Sequence, residues 1–400
     1  MANLNFDSKQ QEAVNMAIDF IKNKEKRRRL EFVLGGLAGT GKSSVIPSII
    51  DSSGVKPDKI LYCAFTGSVC NMLIAKGIPA RTIHSALFAC EKVKDEATGK
   101  YKFKTFRKDK GMIRDAYDLI VVDELSTVND YLMETLRYYE IPMICMGDPG
   151  QFKAIGGSEI SQSLLNSPDV FFKTVYRNGG YLLECAYLAR EGDFSFLKQG
   201  RDKDNLAIIS KYDTQTMDML SVRTSQIICH SNADRIIYND RVRMLRGFEG
   251  VAPNVGEKVI CTDNNWDIQS ETGILSLTNG LQGIVTEFRQ DDLAREYATF
   301  KMSIRNIILK NEKFNNLYCD LIPFMRDYDT DSVFESERSM LFNIEIFNQF
   351  DFGYAITAYK GQGSQWRSVL GIGSKMDKDT LKRFYYTLMT RAEDYCFLAI

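Results

Sequence analysis

The stretch Gly36-Leu37-Ala38-Gly39-Thr40-Gly41-Lys42-Ser43 determines how the rest of the sequence is interpreted. It fits the pattern G-x-x-x-x-G-K-[ST], follows the apolar run 32–34 and precedes a segment that we predict to be a helix beginning at Lys42. A strand, a glycine-rich loop and a helix in this order form the phosphate-binding loop, or P-loop, of nucleotide-binding proteins. The stretch therefore predicts an α/β fold with a nucleotide site.

The residue types of the P-loop indicate what its positions do. Glycine lets backbone N–H groups turn towards phosphates, and the N-terminus of the following helix adds a favourable partial charge. Lys42 would reach the β- and γ-phosphates, and Ser43 would ligate Mg²⁺. The predicted nucleotide-binding positions of the loop are Gly36, Gly39, Thr40, Gly41, Lys42, Ser43 and Ser44.

A second motif supplies the carboxylates that a P-loop needs. Asp123 and Glu124 follow the fully apolar, strand-like run 119–122. Asp123 is expected to hold Mg²⁺ together with Ser43, while Glu124 orients or deprotonates the attacking water. The string Asn-Lys-Glu-Lys at 23–26 lacks the Asp of the guanine-reading N-K-x-D motif. The sequence therefore favours hydrolysis of ATP over GTP.

Alternating strand-like and helix-like segments predict two α/β domains with parallel sheets. The alternation stops twice, first at a stretch that reads as two short strands around the polar turn 95–99, and later at a longer run of strand-like pieces. The predicted boundaries are 1–175 for the first domain, with an inserted hairpin at 88–110; 176–248 and 344–400 for the second domain; and 249–343 for an inserted β module.

Composition excludes several classes of function. The 400 residues carry 51 Lys and Arg against 52 Asp and Glu, so no global field attracts a charged partner. The only two histidines, His84 and His230, disfavour a histidine-built metal site. Nine scattered cysteines favour buried reduced thiols. Without a signal-peptide pattern or a long apolar run, we expect a soluble cytoplasmic protein with no membrane partner.

Further short motifs follow the P-loop in an order that resembles superfamily 1 helicases, in the branch that contains RecD and the phage Dda helicase. Any one of these strings is a weak signal, but their order along nearly the whole chain is specific. The resemblance implies two RecA-like motor domains, with an SH3-like module as the second insertion. The matching strings are 6–13, 64–68, 82–85, 146–152, 175–178, 354–365 and 385–392.

The resemblance also implies roles for individual residues. Gln10 would contact adenine, Tyr176 would stack on the base, and Gln365 stands where many relatives have a ribose-binding glutamate. Gln151 would sense the γ-phosphate, and Arg391 would be the arginine finger. The implied catalytic set is Lys42, Asp123, Glu124, Gln151, Arg177 and Arg391. The positions implied to contact DNA are Thr66, Gly67, His84, Thr357 and Lys360.

The inserted hairpin carries the strongest local charge pattern. Residues 100–110 contain six basic side chains against one acid, and Phe103 and Phe106 are interleaved with them. A half-buried strand with a solvated face is one interpretation. The resemblance suggests the other, a pin that separates the strands of a DNA duplex.

The resemblance implies an ATP- and Mg²⁺-dependent DNA helicase that moves 5′ to 3′ on single-stranded DNA and opens forked duplexes. A phage-type role in replication or recombination is expected, in the host cytoplasm if the source is viral, with single-strand-binding or replication proteins as partners. Two alternatives stay open. The chain could remodel protein–DNA complexes without unwinding, or it could be a non-catalytic assembly subunit that binds ATP structurally.

Overall fold

The first half of the chain folds around a parallel sheet. The structure, a computed structural model, describes residues 6–94, 101–176, 180–198, 205–289, 299–324 and 347–400. The strands of this half are β1 Glu31–Gly36, β2 Ile60–Ala64, β3 Ala80–Thr82, β4 Phe88–Lys94, β5 Tyr101–Arg107, β6 Leu119–Val122, β7 Met143–Gly147 and β8 Val170–Phe172. Six of them form one parallel sheet in the order β3-β2-β6-β7-β1-β8, whereas β4 and β5 form a separate antiparallel hairpin.

Helices cover both faces of this sheet. They are α1 Ser8–Lys22, α2 Ile46–Ser53, α3 Gly67–Ala75, α4 Ile83–Leu87, α5 Lys110–Ala116, α6 Asp130–Tyr138 and α7 Glu159–Asn166. Side chains alternate along each strand, so Val33 of β1 enters one core while Phe32 and Leu34 enter the other. Burial on both faces explains why the strands read as continuous apolar runs.

The second half contains another parallel sheet. Its elements are α8 Gly180–Glu191, β9 Leu206–Ile209, α9 Thr214–Arg223, β10 Gln226–Cys229 and α10 Asn232–Leu245, followed after the insertion by β18 Ala355–Thr357, α11 Ala358–Gly361, β19 Trp366–Ile372, α12 Lys378–Met389 and β20 Ala392–Ala399. The strand order is β18-β10-β19-β20-β9. The fold is thus mixed α/β with two parallel-sheet units, as predicted. None of the helices in the described ranges is long and apolar enough to cross a membrane.

The insertion in the second half is antiparallel. Its strands are β11 Lys258–Cys261, β12 Asn265–Gln269, β13 Ser276–Leu277, β14 Gln282–Arg289, β15 Thr299–Asn306, β16 Lys313–Asp320 and β17 Phe350–Phe352. Five of them form a sheet in the order β16-β15-β14-β11-β17, and β12 pairs with β13.

One predicted boundary differs from the structure. Residues 344–400 were expected in the second domain, but β17 pairs with β11 through Val259–Phe352 and Cys261–Phe350, which places it in the inserted sheet. The pairing partner lies almost a hundred residues earlier, so the local pattern cannot reveal it. Assignment of the insertion to the SH3-like class stays a prediction.

Candidate nucleotide site and nucleic-acid groove

The P-loop follows β1, where the sequence places it. Gly39 and Gly41 adopt positive φ angles of 80° and 76°, which glycine tolerates without strain. Lys42 Nζ donates hydrogen bonds to the carbonyl oxygens of Gly36 and Leu37, at 2.8 and 3.0 Å. The Lys42 ammonium group therefore lies folded over the loop.

The helix after the loop begins later than predicted. Residues Lys42–Ser44 form a 3-10 turn, and α2 begins at Ile46 instead of Lys42. Pro47 explains the difference, because proline has no N–H group and fits only the first turn of an α-helix.

The two carboxyl groups lie at the carboxyl end of β6. Asp123 accepts a hydrogen bond from the Glu124 amide at 2.8 Å, and the Ser43 hydroxyl also hydrogen-bonds to it. Burial raises the pKa of Asp123, and the hydrogen bond from the Glu124 amide and the charge of Lys42 partly oppose this. Burial likewise raises the pKa of Glu124, and the positive charge of Arg391 partly opposes this rise. Ser43 and Asp123 are oxygen donors placed beside a phosphate loop, which fits Mg²⁺.

A cavity of about 490 Å³ lies over the P-loop, between the two halves of the chain. Besides Lys76 and three residues of α3, it is lined by Ala38, Gly39, Thr40, Gly41, Lys42, Ser43, Ser44, Asp123, Glu124, Gln151, Tyr176, Gly363, Gln365 and Arg391. The structure therefore brings most of the predicted nucleotide-site residues into one wall. Gly36 and Gln10 do not line the cavity.

Arg391 approaches the cavity from the second half. Its Nη1 atom lies 3.9 Å from Glu124 Oε1, across the cleft. The side chain is buried, and it donates hydrogen bonds to the carbonyl oxygens of Thr387 and Ser364 at 3.2 and 3.3 Å. The guanidinium group is therefore held in a fixed position that faces the acidic pair.

Gln151 is buried, and its Oε1 atom has no hydrogen-bond partner among the described residues. An unpaired buried acceptor costs free energy, so its position in the cavity wall suits a group that arrives with the ligand. The loop around it is held by the second half. Arg383 donates to the Pro149 carbonyl oxygen at 2.9 Å, and Gln362 donates to the Phe152 carbonyl oxygen at 3.0 Å.

Two tyrosines that the sequence analysis did not single out bind the P-loop from the second half. The Tyr386 hydroxyl accepts a hydrogen bond from the Ala38 N–H group at 3.0 Å, and the Tyr187 hydroxyl donates to the Ala38 carbonyl oxygen at 3.0 Å. Tyr386 also donates to the buried carboxylate of Asp148. Tyr386 lies within the string 385–392, which was the available signal, but no local pattern marks Tyr187.

The predicted adenine contacts lie beside the loop. Gln10 completes a capping box with Asp7 at the start of α1, and its Nε2 atom donates to the Thr40 carbonyl oxygen at 3.4 Å. Tyr176 donates its backbone N–H to Gly39 at 3.0 Å and its hydroxyl to Asp7, which lowers the pKa of Asp7. Tyr176 is half exposed in the cavity wall, whereas Arg177 lies outside the described residues.

The predicted DNA contacts lie along the carboxyl ends of the strands. Thr66 caps α3, and Thr357 is the N-cap residue of α11. Lys360 lines a second cavity, of about 550 Å³, and burial lowers its pKa. The His84 ring lies between the rings of Phe65 and Phe88, with centroid distances of 6.0 and 5.6 Å, and burial lowers its pKa.

The hairpin is firmly attached at its base. Lys108 Nζ donates to the carbonyl oxygens of Ser85 and Ala86, at 2.9 and 3.0 Å, so this lysine caps the end of α4. Lys110 forms an ion pair with Glu140 at 2.9 Å. These basic residues have structural partners, which sequence alone did not indicate. Phe106 is partly exposed, and the side chain of Phe103 lies outside the described residues.

The sequence matches one protein family over residues 7–210 and individual proteins over nearly the whole chain. The sequence profile of the AAA domain family matches residues 7–210. An uncharacterised protein of Acanthamoeba polyphaga mimivirus is 22% identical over 97% of this chain and 98% of its own. The ATP-dependent RecD2 DNA helicase of Deinococcus radiodurans is 25% identical over 92% of this chain, which spans 46% of that relative.

Solved structures show the same fold. Bacteroides Pif1 bound to single-stranded DNA matches 98% of this chain and 93% of its own, with a TM-score of 0.58 and 16% identity. Bacteroides Pif1 in complex with ADP-AlF3 and single-stranded DNA matches 95% of this chain and 91% of its own, with a TM-score of 0.56 and 16% identity.

Two parallel-sheet units with a P-loop cavity in the cleft between them define an ATP-hydrolysing enzyme of the P-loop class. The chain belongs to the AAA domain family, whose model matches residues 7–210. In sequence it is similar to the RecD2 helicase, and in fold to the Pif1 helicases. The resemblance seen in the sequence is thereby confirmed.

Proposed function

We propose that the protein is an ATP- and Mg²⁺-dependent motor that moves 5′ to 3′ along single-stranded DNA and unwinds forked duplexes. The observation that carries this proposal is the cavity of about 490 Å³, whose wall combines the P-loop and the acidic pair with Gln365 and Arg391 of the second half. Because the site is complete only across the cleft, hydrolysis depends on how the two halves meet.

The residues divide the chemistry of phosphoryl transfer. Lys42 binds the β- and γ-phosphates, and Ser43 and Asp123 would hold Mg²⁺, which neutralises phosphate charge when bound. Glu124 orients the attacking water and accepts its proton, while Arg391 and Arg177 stabilise the charge that develops on the γ-phosphoryl group. The unpaired Oε1 atom of Gln151 faces the same cavity, which suits a sensor of the bound γ-phosphate and its water.

Motion would follow from contacts between the halves. The loop 149–152 is bound by Arg383 and Gln362, so a shift of Gln151 on nucleotide binding would pull on the second half. Single-stranded DNA would lie across both halves, near Thr66, Gly67, His84, Thr357 and Lys360. Related folds have been solved with single-stranded and forked DNA, which supports this class of track.

The hairpin is proposed as the pin that meets the duplex. Its base is fixed by Lys108 and by the Tyr139 hydroxyl, whose single proton is shared between the Leu87 and Lys108 carbonyl oxygens, both at 3.1 Å. An element that separates DNA strands must keep its position when the duplex is pulled against it. The contacts at the base of the hairpin hold it in that position. Phe103 and Phe106 are the proposed contacts to the terminal base pair.

We further propose a role in viral replication or recombination, in the host cytoplasm and together with single-strand-binding or replication proteins. The support is the mimivirus relative that matches nearly the full length of both chains. Co-purification of the protein with its partners from infected cells tests this proposal. A Lys42→Ala variant used as the bait is the control.

Strand separation on forks with either a 5′ or a 3′ tail, with and without ATP, tests the main proposal. Unwinding should require ATP and a 5′ tail, and it should be lost in Lys42→Ala. Unwinding from only the 3′ tail would overturn the polarity. DNA-stimulated phosphate release without unwinding would favour a translocase, and no phosphate release would favour a structural ATP-binding subunit.

The pin is tested separately with a Phe103→Ala and Phe106→Ala double variant. It should lose unwinding and keep DNA-stimulated phosphate release, whereas loss of both activities would indicate a folding role. Tyr212→Ala is the matched control, because Tyr212 is an exposed aromatic residue in the second half, with 92% of its surface accessible.

A further inference from the structure

The C-terminal end of α3 places a lysine in the wall of the nucleotide cavity. Lys76 is the C-cap residue of α3, and its backbone N–H group donates to the Leu73 carbonyl oxygen at 3.0 Å. The Ile78 N–H group donates to the same oxygen at 3.0 Å, so the backbone around Lys76 is fixed. Burial raises the pKa of Asp123, and the positive charge of Lys76 is one of the effects that oppose this rise. The Lys76 side chain therefore acts on the region of the acidic pair.

The ammonium group of Lys76 is not used by the fold. A lysine at the end of a helix commonly donates to the last carbonyl oxygens of that helix. Lys76 is exposed, and within the described ranges its ammonium group forms neither a hydrogen bond nor an ion pair. It lines the nucleotide cavity beside the acidic pair. A positive charge is thus available there for an anion that comes from the nucleotide.

The nucleotide cavity adjoins the second cavity, of about 550 Å³. Both cavities have Met72, Lys76 and Gln365 in their walls, so they meet between the end of α3 and the turn that follows α11. A Cβ atom added to Gly363 in this turn would lie 3.4 Å from Cγ of Glu124. The cavities therefore meet close to the residue that is proposed to orient the attacking water.

The second cavity is basic. Among the described residues of its walls are four basic side chains and one acid, namely Lys76, Lys310, Lys360, Arg367 and Glu393. Arg367 forms an ion pair with Asp394 at 2.8 Å. Lys310 is exposed and, like Lys76, its ammonium group has no hydrogen-bond or ion-pair partner in the described part of the chain. A cleft lined by charges of one sign raises the local concentration of ions of the opposite sign.

The products of hydrolysis leave the nucleotide site at different ends. Hydrolysis transfers the γ-phosphoryl group to water and yields ADP and inorganic phosphate. In the proposed function adenine lies beside Gln10 and Tyr176, so bound ADP closes that end of the site. Inorganic phosphate has to leave on the side of the acidic pair, which is where the two cavities meet.

We propose that the second cavity is a binding site for inorganic phosphate on its way out of the nucleotide site, with Lys76 at the entrance and Lys310 inside. This inference rests on the proposed function, in which ATP is hydrolysed. The ligand is a small tetrahedral anion, and the two ammonium groups that lack partners supply its counter-charge. ADP stays on the P-loop while the phosphate moves.

The site is measured with radiolabelled inorganic phosphate, added to protein that is saturated with ADP and Mg²⁺ in the absence of DNA. Lys310→Met should weaken phosphate binding about tenfold, because a hydrogen bond between charged groups is lost. Lys56→Met removes an exposed lysine outside both cavities and should bind phosphate as the parent protein does. Absence of saturable binding by the parent protein would overturn the inference. Binding that is kept in Lys310→Met and lost in Arg391→Ala would also overturn it, because the ion would then lie only at the γ-phosphate position.

The route is measured during ATP hydrolysis with oligo(dT), by rapid quench for the chemical step and by a fluorescent phosphate sensor for release. Lys76→Met should keep the rate of the chemical step and slow phosphate release several-fold, because the positive charge at the entrance is lost. Equal slowing of both steps would mean that Lys76 acts in the reaction itself. Unchanged or faster release would mean that phosphate leaves by another route, and either result contradicts the proposal.

Oligo(dT) anisotropy distinguishes free phosphate from the phosphates of DNA as the occupant of the second cavity. Lys310→Met should bind oligo(dT) as tightly as the parent protein, and a tenfold loss would assign the cavity to DNA and overturn the inference. Unchanged phosphate binding in Lys310→Met, with ATP still hydrolysed by the parent protein, would overturn the inference alone. Absence of ATP hydrolysis by the parent protein would overturn the proposed function, and this inference with it.

Discussion

The hydroxyl group of Tyr386 accepts a hydrogen bond from the backbone N–H of Ala38 at 3.0 Å, although the two residues are 348 positions apart. Through this contact, α12 of the second half holds the P-loop of the first. The same hydroxyl donates to the Asp148 carboxylate, in the loop that carries Gln151. The P-loop, the loop that carries Gln151 and the second half thus meet at the Tyr386 hydroxyl group, and burial raises the pKa of this group well above its usual value.

Tyr386→Phe should uncouple these parts. It leaves the Ala38 N–H group unpaired and removes one donor from the buried Asp148 carboxylate, so the free energy of unfolding should fall by about 1–3 kcal/mol. DNA-stimulated phosphate release should fall more than nucleotide affinity, which fluorescent ATP analogues measure. Tyr385→Phe, one residue earlier on the same helix, is the control. Equal effects of the two substitutions would contradict the coupling role.

Arg391→Ala should lower the kcat of ATP hydrolysis by about 10³-fold or more, because an arginine finger stabilises charge that appears only in the transition state. Single-turnover phosphate release measures this loss. Nucleotide affinity should change far less, since the proposed contacts to the bound nucleotide before reaction are Lys42 and the loop amides. Arg289→Ala, at an arginine whose side chain is 70% exposed, provides the control. A change in affinity as large as the change in kcat would argue against the finger role.

The local parts of the site could be predicted from sequence, and the resemblance also identified Gln365 and Arg391 of the second half. Other contacts between distant segments of the chain could not be predicted. The P-loop and the acidic pair follow from short patterns in which neighbouring residues share one strand end. The contacts of Tyr187 and Tyr386 with Ala38, and of Asn279 with Gly67, join distant segments and leave no local pattern. The boundary at β17 was misplaced for the same reason, because only its pairing with β11 assigns it to the inserted sheet.

Acid should destabilise the protein partly through His84. Burial between Phe65 and Phe88 lowers its pKa in the folded state, whereas the unfolded chain titrates near the ordinary value of about 6.5. As the pH falls below about 6.5, the unfolded state therefore binds more protons than the folded state. The free energy of unfolding decreases until the pH reaches the lower pKa of His84 in the folded state. His84→Phe keeps the ring stack and should lose less stability between pH 7.5 and 5.5 in urea titrations. Equal losses of stability in the parent protein and in His84→Phe would contradict this prediction.

Because His84 is neutral at pH 7.5, it should add no charge to DNA binding. The slope of log Kd against log salt reports the number of phosphate charges neutralised, so His84→Phe should leave that slope unchanged. Lys360→Ala should reduce it, and oligo(dT) anisotropy over a salt series measures both. A smaller slope in His84→Phe would show that the histidine binds DNA as a cation.

Glu257→Ala should be the most destabilising substitution at the junction of α10 with the inserted sheet. Glu257 is fully buried and pairs with Arg243, with Oε1 2.9 Å from Nε, and it accepts from the Asn254 amide at 2.8 Å. Removing one member of a buried pair leaves the other charge uncompensated, so the apparent free energy of unfolding should fall by about 3–5 kcal/mol. Asp218→Ala breaks the partly exposed pair with Arg241 on the same helix and should cost about 1 kcal/mol or less. Urea denaturation of the two variants measures the difference, and equal costs would show that the Arg243–Glu257 pair does not hold the inserted unit in place.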